Sequence, residues 1–375
     1  MANNRFALNF AQTDKGQEVI EGFKDVYAHY RTENSNISTK FSGKYKTDLG
    51  TLQEKMDFAD KKIMETIYTL SKIDPNDSFL ALTKYSSNTQ FQQMAYAVIG
   101  TLIDSVVIDS IIDSYGLYTD VRTGGYGDNF SFDLSPNGLF NVARAGNTQR
   151  QGIAQRQFKT QALLTPENHI ITTEVGLYNV LAGKESIVEF AMKCVKSIEE
   201  EIALDCYDAF DGAFSSLPSA STTNLLYNGA FDEDAFLKLA QKVSGYNGGA
   251  RAMAVGTASA LANVLPTNDT NYRYNLTDEH VTRGYISTFK GTALMVLPQK
   301  VSWKTRYSTL LDDTKIYMIC PQSDKIVKLA VEGDTMEFIT EHKDNANLSN
   351  QVTFQKRWQA GVITSSVYGC MDLGA

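Results

Sequence analysis

The chain has 375 residues, of which 43% are hydrophobic and 21% charged, a composition typical of an ordinary folded protein. Its formal net charge of −8 argues against a protein that coats nucleic acid, because neutralising phosphates requires clustered Lys and Arg. The four cysteines lack CxxC spacing and the N-terminus lacks a signal pattern. These features predict a protein with reduced thiols that is made and kept in the cytosol.

The first 115 residues are predicted to be an arm followed by a helical region. Residues 1 to about 48 are polar and mixed in charge, which predicts an arm ordered only by contact. Apolar residues spaced by three and four between positions 52 and 70 predict a helix that ends before Pro75. A more apolar helical region covers about Asn88–Tyr115. Its apolar run is too short to span a bilayer and is interrupted by carboxylates such as Asp104, so we expect a helix buried by protein.

Residues 116–183 are predicted to form an extended loop. Phe130–Leu134 alternates apolar and polar residues, as a half-buried strand does, and Ala162–Val175 does so less strictly. The segment between these strands, residues 141–160, has basic but no acidic residues: Arg144, Arg150, Arg156 and Lys159. The pattern predicts a two-stranded arm with a basic end. Because an isolated ribbon is marginal in water, the arm should rest on something else.

A single long helix is predicted from Lys184 to about Asp211. Its apolar stripe repeats in steps of three and four and comprises Ile187, Ala191, Val195, Ile198, Ile202, Cys206 and Ala209/Phe210. At 1.5 Å per residue such a helix is roughly 40 Å long. Its polar side carries the acidic residues Glu199, Glu200, Glu201 and Asp205. The connector Ser215–Thr223 behind it is a predicted domain boundary.

The remaining chain is predicted to be a small α/β unit followed by strands. A helix over Phe231–Val243 precedes a short strand at 252–255 and a helix over Thr257–Leu265. Further strands are predicted at 293–297, 315–320, 325–332 and 335–340, the last three as a meander with turns at 321–324 and 333–334, and a strand pair at 352–373. The element order predicts the α+β class.

No pattern in the sequence predicts a catalytic residue, a metal ligand or a cofactor site. The four histidines lie far apart and none has a metal-ligand spacing. Asp278, Glu279 and His280 are adjacent in a polar loop, which is typical of solvated charges. The glycines of Gly124–Gly127 lack the residues of a phosphate loop, so we expect them to permit bending at the base of the arm.

The C-terminal third contains four features in order: Met336–Glu341, an acidic and amide loop at 344–347, a strand at 352–354, and the run from Gln355 to Val362. In these features it resembles the major capsid proteins of tailed bacteriophages, which have the Hong Kong 97 fold. Upstream, the ribbon, the long helix and the α/β unit follow the order of that family's extended loop, spine helix and axial domain. The resemblance therefore covers the chain from about residue 116 onward, and the first 115 residues match nothing in that pattern.

The resemblance implies a division of the chain. It assigns an N-terminal arm and helical region (1–115), an extended loop (116–183), a peripheral-domain spine helix (184–222), an axial domain (223–324), peripheral strands (325–360) and a terminal strand returning to the axial domain (361–375).

The resemblance also implies a function. We expect a structural, non-enzymatic subunit without cofactors that assembles as hexamers and pentamers into an icosahedral shell. The shell would enclose phage double-stranded DNA without sequence-specific binding, would form in the host bacterial cytoplasm and would become part of the virion. Scaffold, portal and decoration proteins would be further partners, and no membrane is expected to be one.

The charges suggest where neighbouring subunits meet. We expect the basic arm of one subunit to face the acidic stretch of the long helix in another, that is, Arg144, Arg150, Arg156 and Lys159 against Glu199, Glu200, Glu201 and Asp205. The alternative is that both clusters are solvated faces.

Two other functions stay open at this point. One is an encapsulin-type nanocompartment shell of the same fold, which would enclose enzyme cargo instead of DNA. The other is a cytosolic α+β enzyme, which would need a deep pocket with converging titratable groups.

Overall fold

A computed structural model describes most of the chain. The described residues are 10–34, 50–74, 76, 89–116, 118–134, 140, 142, 154–157, 159–175, 177–181, 183–217, 225–266, 280–297, 299, 301, 308–340 and 350–374. The helices are α1 (Asp14–Asn34), α2 (Leu52–Ser71), α3 (Thr89–Tyr115), α4 (Leu177–Leu181), α5 (Ile187–Ser215), α6 (Glu233–Tyr246) and α7 (Ala258–Ala262). The strands are β1 (Thr119–Gly124), β2 (Phe130–Leu134), β3 (Thr160–Leu164), β4 (Glu167–Val175), β5 (Leu226–Asn228), β6 (Met253–Gly256), β7 (Thr288–Phe289), β8 (Thr292–Val296), β9 (Lys315–Ile319), β10 (Val327–Thr340), β11 (Asn350–Val362) and β12 (Gly369–Asp372). The expected α+β class is confirmed.

Helix α1 corrects the expectation of an arm over the first 48 residues. Its apolar side is fully buried against the following helices, with Phe23 and Tyr27 almost without exposed surface. A buried ion pair of 2.9 Å between Lys55 and Asp25 also joins α2 to α1. The apolar residues of α1 do have helical spacing, but the many charged residues between them obscure it in the sequence.

Helices α2 and α3 confirm the two predicted helices. At the start of α2, Thr51 and Glu54 form a reciprocal capping box. Over Gln90–Asp113, α3 is long and apolar enough to cross a membrane by length and composition, but most of it is buried inside the protein, as in the core helix of a folded domain.

Helix α5 confirms the predicted long helix, beginning at Ile187 and ending at Ser215. The predicted apolar stripe is buried throughout except for the partly exposed Ala209. Ser186 caps the first turn by accepting a hydrogen bond from the backbone N–H of Glu189 at 3.0 Å. Asp60 of α2 accepts a second one from the N–H of Val188 at 2.9 Å, so the N-terminal helices are attached to the start of α5.

A four-stranded sheet with the order β1-β10-β11-β4 packs against α3 and α5. The predicted turn at Gly333–Asp334 is wrong, because β10 runs through it as one strand with a β-bulge between Glu332 and Met336. Gly333 adopts a φ of 65° there, a conformation that glycine tolerates. A turn and a bulge both use glycine, so the sequence did not distinguish them.

A six-stranded sheet with the order β5-β12-β9-β6-β8-β7 forms a second core with α6 and α7. The predicted meander is wrong, since β9 pairs with β12 and β6 in this sheet whereas β10 belongs to the first. The predicted strand pair at 352–373 is also wrong, because β11 and β12 lie in different sheets. At its C-terminal end α5 contacts this second sheet through Phe214, whose ring lies 4.6 Å from that of Tyr317.

The predicted two-stranded ribbon is confirmed as β2 paired antiparallel with β3, from Phe130 opposite Leu164 to Leu134 opposite Thr160. Its inner side packs on the outer face of the first sheet. Phe132 is 1% exposed and packs there with Ala330 and Ile363. The ribbon strands therefore rest on their own subunit.

Candidate subunit contact surface

The basic end of the ribbon is described only in part. Arg144 and Arg150 lie outside the described residues, so their predicted role stays a prediction. Arg156 and Lys159 are exposed just before β3. Their contact with the acidic stretch of α5 in a neighbouring subunit stays a prediction.

Two of the four predicted acidic residues make hydrogen bonds inside their own subunit. The Tyr27 hydroxyl of α1 donates to Glu199. Burial, together with the charge of Glu199, raises the pKa of Tyr27 well above its usual value. The Trp358 indole of β11 donates to Asp205 at 2.8 Å. Glu199 and Asp205 thus have partners inside their own subunit, and the expectation that the four carboxylates face another subunit stays a prediction.

The Trp358 contact belongs to a small stacked cluster. The His169 ring of β4 stacks on Trp358 with ring centres 3.7 Å apart and an angle of 8° between planes. Its Nε2 atom lies 3.7 Å from Asp205. Burial raises the pKa of Asp205, while the Trp358 hydrogen bond and His169 act in the opposite direction. The cluster thus fastens α5 to the inner strand β11 and the edge strand β4.

Glu200 and Glu201 are half-buried on the same stretch of α5. Glu201 lines an open crevice of about 520 Å³ that runs between α5, β4 and β11. Its walls include the apolar residues Ile171, Ile198 and Phe354. Strand β4 is the edge of the first sheet, so the crevice lies beside a strand with only one partner among the described residues. This crevice with Glu201 in its lining, together with the neighbouring Glu200, forms the candidate contact surface.

The described residues contain no recognisable reaction centre. Within them, no group of three His, Cys, Asp or Glu side chains is close enough to hold a metal ion. All four cysteines are buried and free, and burial raises the pKa of Cys194 and Cys370 to about 12, which keeps these thiols protonated. Of the loop carboxylates, Asp278 and Glu279 lie outside the described residues. Gly124–Gly127 forms the turn between β1 and β2, where the Gly127 N–H donates to Glu332.

Comparison with known proteins places the chain in a family. Residues 23–372 match the family described as "SPbeta prophage-derived putative capsid protein YonB". Because the match spans nearly the whole chain, the chain belongs to this family of prophage capsid proteins. The predicted phage capsid protein is confirmed, and the family indicates a structural rather than an enzymatic role. No curated protein matches the chain by sequence.

Solved structures of shell-forming proteins are similar to the chain. The capsid of an empty GTA particle is 11% identical, with 70% of this chain and 96% of that chain covered and a TM-score of 0.48. The mature capsid of bacteriophage PhiM1 is 10% identical, with coverage of 68% and 86% and a TM-score of 0.45. A virus-like particle from Pyrococcus furiosus is 11% identical, with coverage of 71% and 96% and a TM-score of 0.40.

Proposed function

We propose that the chain is the major shell subunit of a tailed phage or prophage, with a Hong Kong 97-like fold, and that it assembles as hexamers and pentamers. The family match over residues 23–372 carries the proposal. The architecture supports it: the long helix α5 crosses a four-stranded sheet and reaches a separate six-stranded sheet, as a spine helix joining a peripheral to an axial domain would.

The proposed parts of the subunit follow this architecture. The first sheet and α5 would be the peripheral domain, and the second sheet with α6 and α7 the axial domain near the centre of each capsomer. Ribbon β2–β3 would be the base of the extended loop, with residues 135–159 as its outer part.

The proposed contact between neighbours joins unlike charges. Arg144, Arg150, Arg156 and Lys159 of one subunit would approach Glu200 and Glu201 of the next, where Glu201 lines the crevice. The opposite charges of the two segments support this pairing, since residues 141–160 contain basic but no acidic residues and Glu200 and Glu201 are both acidic. Exposed ion pairs are worth only about 0–1 kcal/mol each, so they would direct assembly more than stabilise it.

The proposed content of the shell is phage double-stranded DNA, held without sequence-specific binding. A subunit with a net charge of −8 suits a container whose lining does not grip phosphate. Scaffold, portal and decoration proteins would complete the virion, which would assemble in the bacterial cytoplasm.

The test is assembly of the full chain in bacteria, with the neighbouring prophage genes present. We expect capsomers or closed shells in electron micrographs and in sedimentation, containing nuclease-protected DNA when the packaging genes are included. A subunit that stays monomeric under all these conditions would contradict the proposal. Shells that contain a cargo enzyme instead of DNA would identify a nanocompartment.

A further inference from the structure

The bulge in β10 lies beside a cluster of charged residues between α3 and the first sheet, of which Lys356 is buried. Asp104 of α3 accepts hydrogen bonds from the backbone N–H of Thr335 at 2.7 Å and from its hydroxyl at 2.6 Å. The Lys356 ammonium of β11, whose side chain is 2% exposed, also contacts Asp104. These bonds hold the bulge against α3.

Glu337 follows the bulge and points to the same side. It is paired with the buried Phe354 in the strand register, and its carboxyl group lies over Gly100 of α3. A Cβ atom at Gly100 would come within 2.0 Å of its Oε1 atom, so the missing side chain provides the space for the carboxyl group. Gly100 is one helical turn before Asp104, which places the two carboxyl groups on the same side of α3.

The cluster contains more acidic than basic groups. Asp104 of α3 and both Asp334 and Glu337 of β10 interact electrostatically, while Lys356 of β11 is the cation that acts on Asp104 and Asp334. Burial, reinforced by the charges of Asp104 and Asp334, raises the pKa of Glu337 from 4.5 to about 8. Burial also raises the pKa of Asp334, an effect that Asp104 adds to and Lys356 opposes.

We propose that Glu337 is a proton-controlled latch that fastens the distal half of β10, residues 336–340, to α3. In its neutral form the carboxyl group remains in the space over Gly100. When it loses its proton it repels Asp104 and Asp334 and leaves that space for water. The strand segment then loosens from the helix, while the Asp104–Lys356 contact keeps the bulge in place.

The direction of the pH dependence follows from the raised pKa. A carboxyl group that binds its proton more tightly in the folded chain contributes stability that is fully present below its unfolded pKa of about 4.5. That contribution is lost as the pH rises through about 8. The latch is therefore mostly closed at neutral pH and opens under mildly alkaline conditions.

Opening would change an exposed surface of the subunit. Phe338, next to Glu337, points to the opposite side of the sheet and is 51% exposed. It lies opposite Thr353, which is hydrogen bonded to Thr172 of β4 at 3.0 Å. Loosening of residues 336–340 would therefore move an apolar residue on the outer face of the sheet.

The experiment is hydrogen–deuterium exchange of the full chain at about pH 6.5 and pH 9.5, corrected for the intrinsic pH dependence of exchange. We expect protection of residues 336–340 to fall by about tenfold or more in the wild-type protein, with a midpoint near pH 8. Glu337→Gln, which stays neutral, should remove this pH dependence. Glu174→Gln, which alters an exposed carboxylate on β4 of the same sheet, should leave it as in the wild type.

A second variant tests the space over Gly100. Gly100→Ala should displace the flexible end of the Glu337 side chain and give weak protection of 336–340 at both pH values. Carboxyl carbon NMR of the wild-type protein provides an independent readout and should show Glu337 titrating above pH 7. An ordinary titration near 4.5, a flat wild-type exchange profile, or an unchanged pH dependence in Glu337→Gln or Gly100→Ala would each overturn the proposal.

Discussion

At the scale of single residues, polar groups of α5 make stabilising contacts inside their own subunit. Asp205 shows this most clearly, because it accepts a hydrogen bond from Trp358, whose side chain is 2% exposed, and lies beside His169. The sequence placed Asp205 in an acidic cluster, but its partners come from strands more than 30 residues before and 150 residues after it. Residues that are close together in the acidic stretch therefore contact different parts of the fold.

Replacing Asp205 tests this structural role. Asp205→Ala would leave the buried indole N–H without an acceptor, and we expect a loss of about 1–3 kcal/mol in the free energy of unfolding. Asp205→Asn keeps an acceptor oxygen and should cost less. Urea unfolding followed by tryptophan fluorescence measures the effect. The control is Asp208→Ala, at an exposed position about one turn later on α5. Equal stability of Asp205→Ala and the control would contradict the role.

At the scale of elements, the ribbon β2–β3 is attached to its own sheet through a small apolar cluster, in which Phe132 is the most buried ribbon residue. The Arg122 guanidinium lies 4.2 Å from the centre of the Phe132 ring, and the Lys328 ammonium lies 5.9 Å from it. The sequence predicted the alternation that makes β2 half-buried. It did not predict what β2 is buried against, because the contacting residues Ala330 and Ile363 lie far along the chain.

Phe132→Ala should detach the ribbon while the main core stays folded. Removing a buried Phe costs about 3–5 kcal/mol where the site cannot collapse, and a two-stranded ribbon is only marginally stable without such packing. We expect faster proteolytic cleavage within residues 135–159 and faster exchange in β2 and β3, with little change in α3 or α5. Phe140→Ala, at a 57% exposed position, is the matched control. Cleavage rates that are the same in both variants would show that Phe132 does not hold the ribbon.

At the scale of the whole molecule, the three described helices within the first 115 residues belong to the main core. Helices α1, α2 and α3 share one continuous cluster of buried residues with α5 and the first sheet. Residues such as Phe23, Ile63 and Leu102 have essentially no exposed surface. Removal of the N-terminal helices would uncover the apolar side of α3.

We therefore expect α1 to be retained in assembled shells. Peptide mass spectrometry of purified particles should detect residues 14–34 in the same amount as residues 187–215. A truncated chain that begins at residue 50 should aggregate or lose its cooperative unfolding transition. Shells that lack α1 peptides and remain stable would contradict this expectation.

The proposed contact between subunits also belongs to this scale. Changing Arg150, Arg156 and Lys159 to Glu should leave the subunit folded, since Arg156 and Lys159 are exposed, but should impair assembly. Higher ionic strength should partly restore it, because salt screens exposed charges over about 8 Å at physiological strength and less above it.

A compensating variant separates this contact from a general effect of charge. Adding Glu200→Lys and Glu201→Lys to the arm variant should restore assembly better than salt does, as judged by sedimentation and electron microscopy. Lys61→Glu, at an exposed position on α2, serves as the control for altered net charge. Normal shells formed by the arm variant alone would show that the basic segment faces solvent.

The sequence by itself determined the local elements of this protein. The helices α2, α3 and α5, the strands β2 and β6, and the mixed α+β class follow from apolar spacing and caps, which are properties of neighbouring residues. The run from Gln355 to Val362 and the order of elements were also sufficient to indicate a capsid protein, which the family match confirms.

The tertiary structure decided which strands share a sheet and which acidic side chains have hydrogen-bond partners inside the subunit. Strands β9 and β10 are close in sequence but lie in different sheets, and the bulge at Gly333 resembles a turn in the sequence. Glu199 and Asp205 are acidic residues of one helix, yet their partners Tyr27 and Trp358 are brought to them only by folding. Pairing and burial depend on contacts between distant parts of the chain, which residue spacing does not encode.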